Sequence, residues 1–149
     1  MNALHSRNEG WISPALQQRL EGAHLVFLGC GLASRLVEDA VRLGVTRLTL
    51  VDDDVVEVGN LNRQAFDTAD LGRLKVEALA DRVRRIRADL DLHLVPARVH
   101  SVADMADLLD SADVVVSTID GDRVYWDLAR RASSRGPLLL CPWNVGHGA

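Results

Sequence analysis

The run Gly29-Cys30-Gly31-Leu32-Ala33-Ser34 places small residues where an anion could rest against the backbone. Gly29 permits a tight turn. Gly31 lets a phosphate approach the main chain, and the unpaired N–H groups of a following helix would hold its charge. Ser34 takes the third position and is small enough for close helix packing. Asp52 follows Gly31 by 21 residues, the distance at which a nucleotide fold sets an acid on the ribose hydroxyls. Turn and acid together point to a bound nucleotide. They do not separate NAD from ATP, because both present a ribose and phosphates to the same turn.

The stretch from Asp52 to Gln64 does separate them. It reads Asp52-Asp53-Asp54-Val55-Val56-Glu57-Val58-Gly59-Asn60-Leu61-Asn62-Arg63-Gln64. The acids suit a ribose or metal-bound water. Arg63 carries a fork of donors that matches phosphate oxygens. A hydride-transfer enzyme has no use for such a loop. Lys75 follows at the start of a helical pattern and adds a second cation.

These groups need elements to position them, and the chain supplies alternating ones. Ser13-Pro14 opens a helix that runs to about Glu21 and ends at Gly22. Ala23–Leu28 is an apolar run that reads as a strand buried on both faces. Leu32, Leu36, Val37, Ala40, Val41 and Leu43 recur at helical spacing, with Gly44 placed to cap the helix. Arg47–Asp52 is a second strand. Val76, Leu79, Ala80, Val83 and Ile86 share one face of a helix after Gly72. Leu92–Val95 is a short strand, and Ser101 with Asp104 forms a capping box. Asp113–Ile119, with its Val114-Val115-Val116 centre, is another strand. A helix over Tyr125–Ala132 and a strand over Leu138–Cys141 follow. This alternation implies an α/β fold: a doubly wound, mostly parallel sheet with helices on both faces. Residues 1–22 are expected as an N-terminal helical arm and 23–149 as the nucleotide-binding domain.

The bulk numbers agree. The 149 residues fit one domain, and 48% of them are apolar. A net charge of −4 argues against a nucleic-acid partner. No apolar run reaches the roughly 18 residues of a membrane span. The two cysteines, Cys30 and Cys141, form no CxxC pair, so no zinc ribbon is expected. A buried structural role is expected for Cys141. These features read as a soluble, reducing, cytoplasmic protein.

The segment Asp52–Gln64 resembles the signature D-x-D-x-V-E-x-S-N-L-x-R-Q of the ThiF/MoeB/HesA, ubiquitin-activating-enzyme-like family, with Gly59 in place of Ser. Leu71-Gly72-Arg73-Leu74-Lys75-Val76-Glu77 is similar to that family's I-G-x-x-K-[AV]-E. Asp120 stands where the family carries the Asp of T-D-N, here followed by Gly121. Ser6-Arg7-Asn8 resembles its N-terminal Arg-containing start.

The resemblance implies a Rossmann-like adenylyltransferase that uses ATP and Mg2+. It implies that Gly29, Gly31, Asp52 and Asp54 line the nucleotide site. Asn60, Arg63 and Lys75 would contact the phosphates with Gln64 beside them, and Asp120 would hold magnesium or orient the phosphates. Arg63, Lys75 and Asp120 are the implied catalytic set, and Arg7 would reach into a neighbouring protomer. The implied substrate is the C-terminal carboxylate of a small ubiquitin-like or sulfur-carrier protein or of a peptide, with a homodimer where the C-terminal half is present. Pro142–Ala149 leads out of the last strand and stops, so that half is expected to be missing. A non-catalytic nucleotide-binding module and an NAD-dependent oxidoreductase are the competing readings.

Overall fold

The strands His24–Leu28 (β1), Arg47–Val51 (β2), Asp91–Val95 (β3), Val114–Ser117 (β4) and Leu138–Leu140 (β5) build one sheet. The structure is a computed structural model that describes residues 3–119, 122–133 and 136–142. The order is β3-β2-β1-β4-β5, and every pairing among these strands is parallel. The order reverses between β1 and β4. At such a switch point the connections leave in opposite directions, which opens a crevice beyond the carboxyl ends of the two strands.

Helices Ser34–Leu43 (α2) and Lys75–Ile86 (α3) cover one face. Helices Ala106–Ser111 (α4) and Asp122–Ser133 (α5) cover the other. The strand alternation explains the split. Phe27, Leu48 and Leu50 point toward Val37, Val41, Leu79 and Val83 of α2 and α3. Val26, Leu28 and Val51 point the other way, toward Leu109 of α4 and Leu128 of α5. Each fully buried Val or Leu contributes about 1.5–3 kcal/mol by leaving water. The sheet is therefore fixed from both sides, and the strand ends at the crevice are held with it.

Two helix details differ from the periodicity. The helix α2 begins at Ser34 rather than near Leu32, because residues 29–33 are spent on the turn. Leu32, Leu36 and Leu43 are exposed, and the packed face is the narrower set Val37, Ala40 and Val41. Gly44 ends α2 as expected, at φ 116°, with its N–H bonded to the carbonyls of Ala40 and Val41.

The helix Pro14–Gly22 (α1) is capped by Ser13, whose hydroxyl accepts from the Leu16 N–H. The segment expected as an arm folds back on the domain. A 3-10 turn at Ala3–Asn8 buries His5, which bonds Glu21 at 3.0 Å. Gln17 Nε2 donates to the Leu43 carbonyl at 3.0 Å, which ties α1 to the end of α2. The Ser101/Asp104 capping box forms reciprocally, at 3.1 and 3.3 Å.

Cys141 is half-exposed rather than buried. It follows β5, an outer strand of the sheet, where Leu138 and Leu140 are exposed as well.

Candidate nucleotide cleft

The chain leaves β1 through Gly29 at φ 87°, a conformation that strains any residue with a Cβ. A Cβ there would also lie 2.8 Å from Thr118 Oγ1. Thr118 follows β4 and donates to the Gly29 carbonyl at 3.1 Å, so the two strand ends of the switch point are laced together. At Gly31 a Cβ would meet the Gln64 amide at 2.9 Å. Gln64 is buried, and its Oε1 has no hydrogen-bond partner among the described residues. Ser34 does more than allow close packing. Its hydroxyl donates to the Gly31 carbonyl at 2.7 Å and accepts from the Ala65 N–H at 2.8 Å. The glycine turn and the Arg63–Gln64 segment are thereby docked on each other.

Asp52 comes directly after β2. One carboxylate oxygen accepts from the Cys30 N–H at 2.6 Å and the other from the Asp54 N–H at 2.9 Å. The acid is thus aimed at the turn by the backbone on both sides of it. Lys75 starts α3, is buried, and donates from Nζ to Asp54 Oδ2 at 2.7 Å. Arg63 is exposed. Its Nη1 donates to the Gly59 carbonyl at 2.7 Å and to Asn62 Oδ1 at 3.0 Å. Asn60 Oδ1 accepts from the Glu57 N–H at 3.0 Å and holds the 3-10 turn at Val58–Asn60.

All of these groups converge. A cleft of about 640 Å³ is lined by Gly29, Gly31, Asp52, Asp54, Asn60, Arg63, Gln64 and Lys75. Eight sequence-derived positions therefore share one opening. Two do not enter that account. Arg7 is exposed on the N-terminal turn that packs at the far end of α2, and it does not line the cleft. Asp120 lies outside the described residues. Side chains that the sequence did not single out also line the cleft, notably Arg98 after β3 and Thr118 and Ile119 after β4. Their signal was positional: each follows the carboxyl end of a strand.

Oxygens of Asp52, Asp53 and Asp54 come within 4.8 Å of one another, and carboxylates suit a hard divalent cation. Each is already engaged, however. Asp52 accepts two N–H groups, Asp53 pairs with Arg98, and Asp54 pairs with Lys75. In this arrangement Lys75 and Arg98 meet the charge of two of the three carboxylates, so the trio as it stands is not preorganised for a metal.

Cys30 sits in the turn with its thiol buried. Burial pushes the thiol far up from its ordinary value, and the Asp52 charge pushes the same way. It stays protonated and is no nucleophile.

Comparison with known proteins agrees with the geometry. Residues 5–141 match the model of the ThiF family. The chain is 35% identical over 111 residues to the SAMP-activating enzyme E1 of Haloferax volcanii, covering 73% of this chain and 41% of that protein. It is 32% identical over 126 residues to the sulfur carrier protein ThiS adenylyltransferase of Bacillus subtilis, covering 80% of this chain and 37% of that one. The solved structure of E. coli tRNA N6-threonylcarbamoyladenosine dehydratase, TcdA, in complex with ATP superposes with a TM-score of 0.83 at 26% identity. That match covers 97% of this chain and 59% of the other. The chain therefore spans less than two thirds of each of these proteins. With its five-stranded parallel sheet and its glycine turn, the chain belongs to the ThiF family.

Proposed function

We propose that the cleft binds ATP and adenylates a carboxylate. The observation that carries this reading is the convergence of Arg63 and Lys75 on the opening that holds the Gly29–Ser34 turn and Asp52. The turn and the start of α2 receive the phosphates, Asp52 the ribose, and the two cations the β- and γ-phosphates. ATP binding by TcdA, a solved relative, supports the choice of ATP over NAD.

The chemistry follows from charge. A carboxylate oxygen attacks the α-phosphorus, a new P–O bond forms, and the bond to the bridging oxygen breaks. Pyrophosphate leaves with the electron pair. Attacker and leaving group are both anionic, so rate enhancement comes from positioning and charge neutralisation. Arg63 and Lys75 supply the neutralisation. No general base is needed, because a carboxylate is ionised near neutral pH. The buried, protonated Cys30 takes no part. Asp120 is assigned to phosphate orientation with Mg2+, which accompanies ATP in solution.

The substrate proposed is the C-terminal carboxylate of a small ubiquitin-like or sulfur-carrier protein. The names of the Haloferax and Bacillus relatives favour it. A second reading places the carboxylate on a modified tRNA nucleoside, favoured by the structural likeness to TcdA. The net charge of −4 speaks for the first.

ATP–pyrophosphate exchange by the full-length protein tests the proposal. Exchange stimulated by a carrier protein supports it. ATP binding without exchange, with every carrier and with modified tRNA, leaves a non-catalytic nucleotide module.

A further inference from the structure

Arg98 stands on the loop after β3 and lines the cleft. Its Nε lies 3.3 Å from Asp53 Oδ2. The pair joins the loop after β2 to the neighbouring loop after β3 at the wall of the cleft. Arg98 is 63% exposed and Asp53 40%, so water screens the pair and either partner releases at small cost.

Its place in the cleft is distinct from that of the other cations. Lys75 begins α3 and Arg63 lies in the segment before it, on the side of the sheet covered by α2 and α3. Val99, next to Arg98, packs into the opposite core with Val95 and Leu109. Asp52 lies between these sides, bonded to the glycine turn through the Cys30 N–H. A nucleotide with its phosphates on the turn and its ribose at Asp52 directs its base toward Ala97, Arg98, Val99 and Ile119. Three of these are apolar and suit the faces of a ring. Arg98 is the charged one, and a guanidinium is planar, weakly hydrated and well matched to stack on an aromatic ring.

We infer that Arg98 recognises the base. It exchanges its contact with Asp53 for the face of the purine ring. The inference rests on the nucleotide reading of the cleft. It adds a residue at the base end to the cations at the phosphate end.

The test is calorimetry on the full-length protein with ATP and with inorganic tripolyphosphate, which has the phosphates and no base. Wild type, Arg98→Ala and Arg98→Lys are compared, with circular dichroism as the control for folding. Arg98→Ala is expected to weaken ATP about tenfold, the size of one stacking contact, and to leave tripolyphosphate unchanged. Arg98→Lys is expected to behave like Arg98→Ala, because charge without the planar fork does not stack. Equal weakening of both ligands would make Arg98 a phosphate contact and overturn the inference. Wild-type ATP affinity in Arg98→Ala would overturn it too, while leaving the nucleotide reading in place. Binding of neither ligand by wild type would remove both.

Discussion

Lys75 is coupled to Asp54 twice: its ammonium donates to Asp54 Oδ2 at 2.7 Å and its backbone N–H donates to the Asp54 carbonyl at 2.9 Å. The start of α3 is thus pinned to the loop after β2, and the Lys75 charge is held at the cleft wall. The two bonds separate structure from function. The backbone bond survives any side-chain change.

Lys75→Met keeps the apolar stem and removes only the charge. Asp54 is 52% exposed at its side chain, so its carboxylate returns to water at little cost. Stability is expected to change by less than about 1 kcal/mol, while ATP affinity falls by about 1.5–3 kcal/mol, the size of a charged hydrogen bond. Thermal unfolding and calorimetry read the two separately. A large loss of stability with unchanged affinity would make Lys75 structural.

Gly29→Ala and Gly31→Ala are expected to fail for different reasons. At Gly29 the positive φ remains whatever surrounds it, so the variant loses about 1–3 kcal/mol of stability. Trimming Thr118 would not restore it. At Gly31 the obstacle is the Gln64 side chain, 2.9 Å from the new Cβ. Gln64→Ala in the same chain should recover most of the stability of Gly31→Ala. Denaturant unfolding of the single and double variants gives the coupling.

Ser34→Ala removes a hydroxyl that bridges the Gly31 carbonyl and the buried Ala65 N–H. An unsatisfied buried donor costs about 1–3 kcal/mol. The midpoint of denaturant unfolding should fall with an unchanged m-value. An unchanged midpoint would mean that the turn and the Arg63–Gln64 segment are held together by other contacts.

The alternation of short apolar runs with longer helical patterns made the sheet legible, because strands buried on both faces favour continuous apolar runs. The cleft was legible from the Gly29–Ser34 turn, Asp52, Arg63 and Lys75, whose residue types carry chemistry at fixed spacing. Arg98 was not. A single exposed Arg has no period, and only its place after β3 marks it. The start of α2 was misplaced by two residues, because Leu32 fits the helical spacing while its backbone belongs to the turn. The 3-10 turn that buries His5 was missed because six residues are too few to show a pattern. Cys141 was expected inside on residue type alone, and its position after an outer strand decided otherwise.

The two thiols should react differently. Burial raises the Cys30 thiol, so its neutral form persists in the folded chain above the pH at which an unfolded thiol ionises. Stability from this group is complete below that pH and declines as pH rises past it, because only the unfolded state gains the thiolate. Iodoacetamide at pH 9 should modify the half-exposed Cys141 and reach Cys30 only after unfolding, as read by peptide mass. Prompt labelling of Cys30 in the folded protein would contradict its burial.

Calorimetric titration of the full-length protein with Mg-ATP and with NAD, repeated for Arg63→Ala and Lys75→Met, tests the account most directly. Saturable ATP binding is predicted, weakened at least tenfold by either substitution, with no comparable binding of NAD. Tight NAD binding, or ATP binding indifferent to both cations, would contradict it.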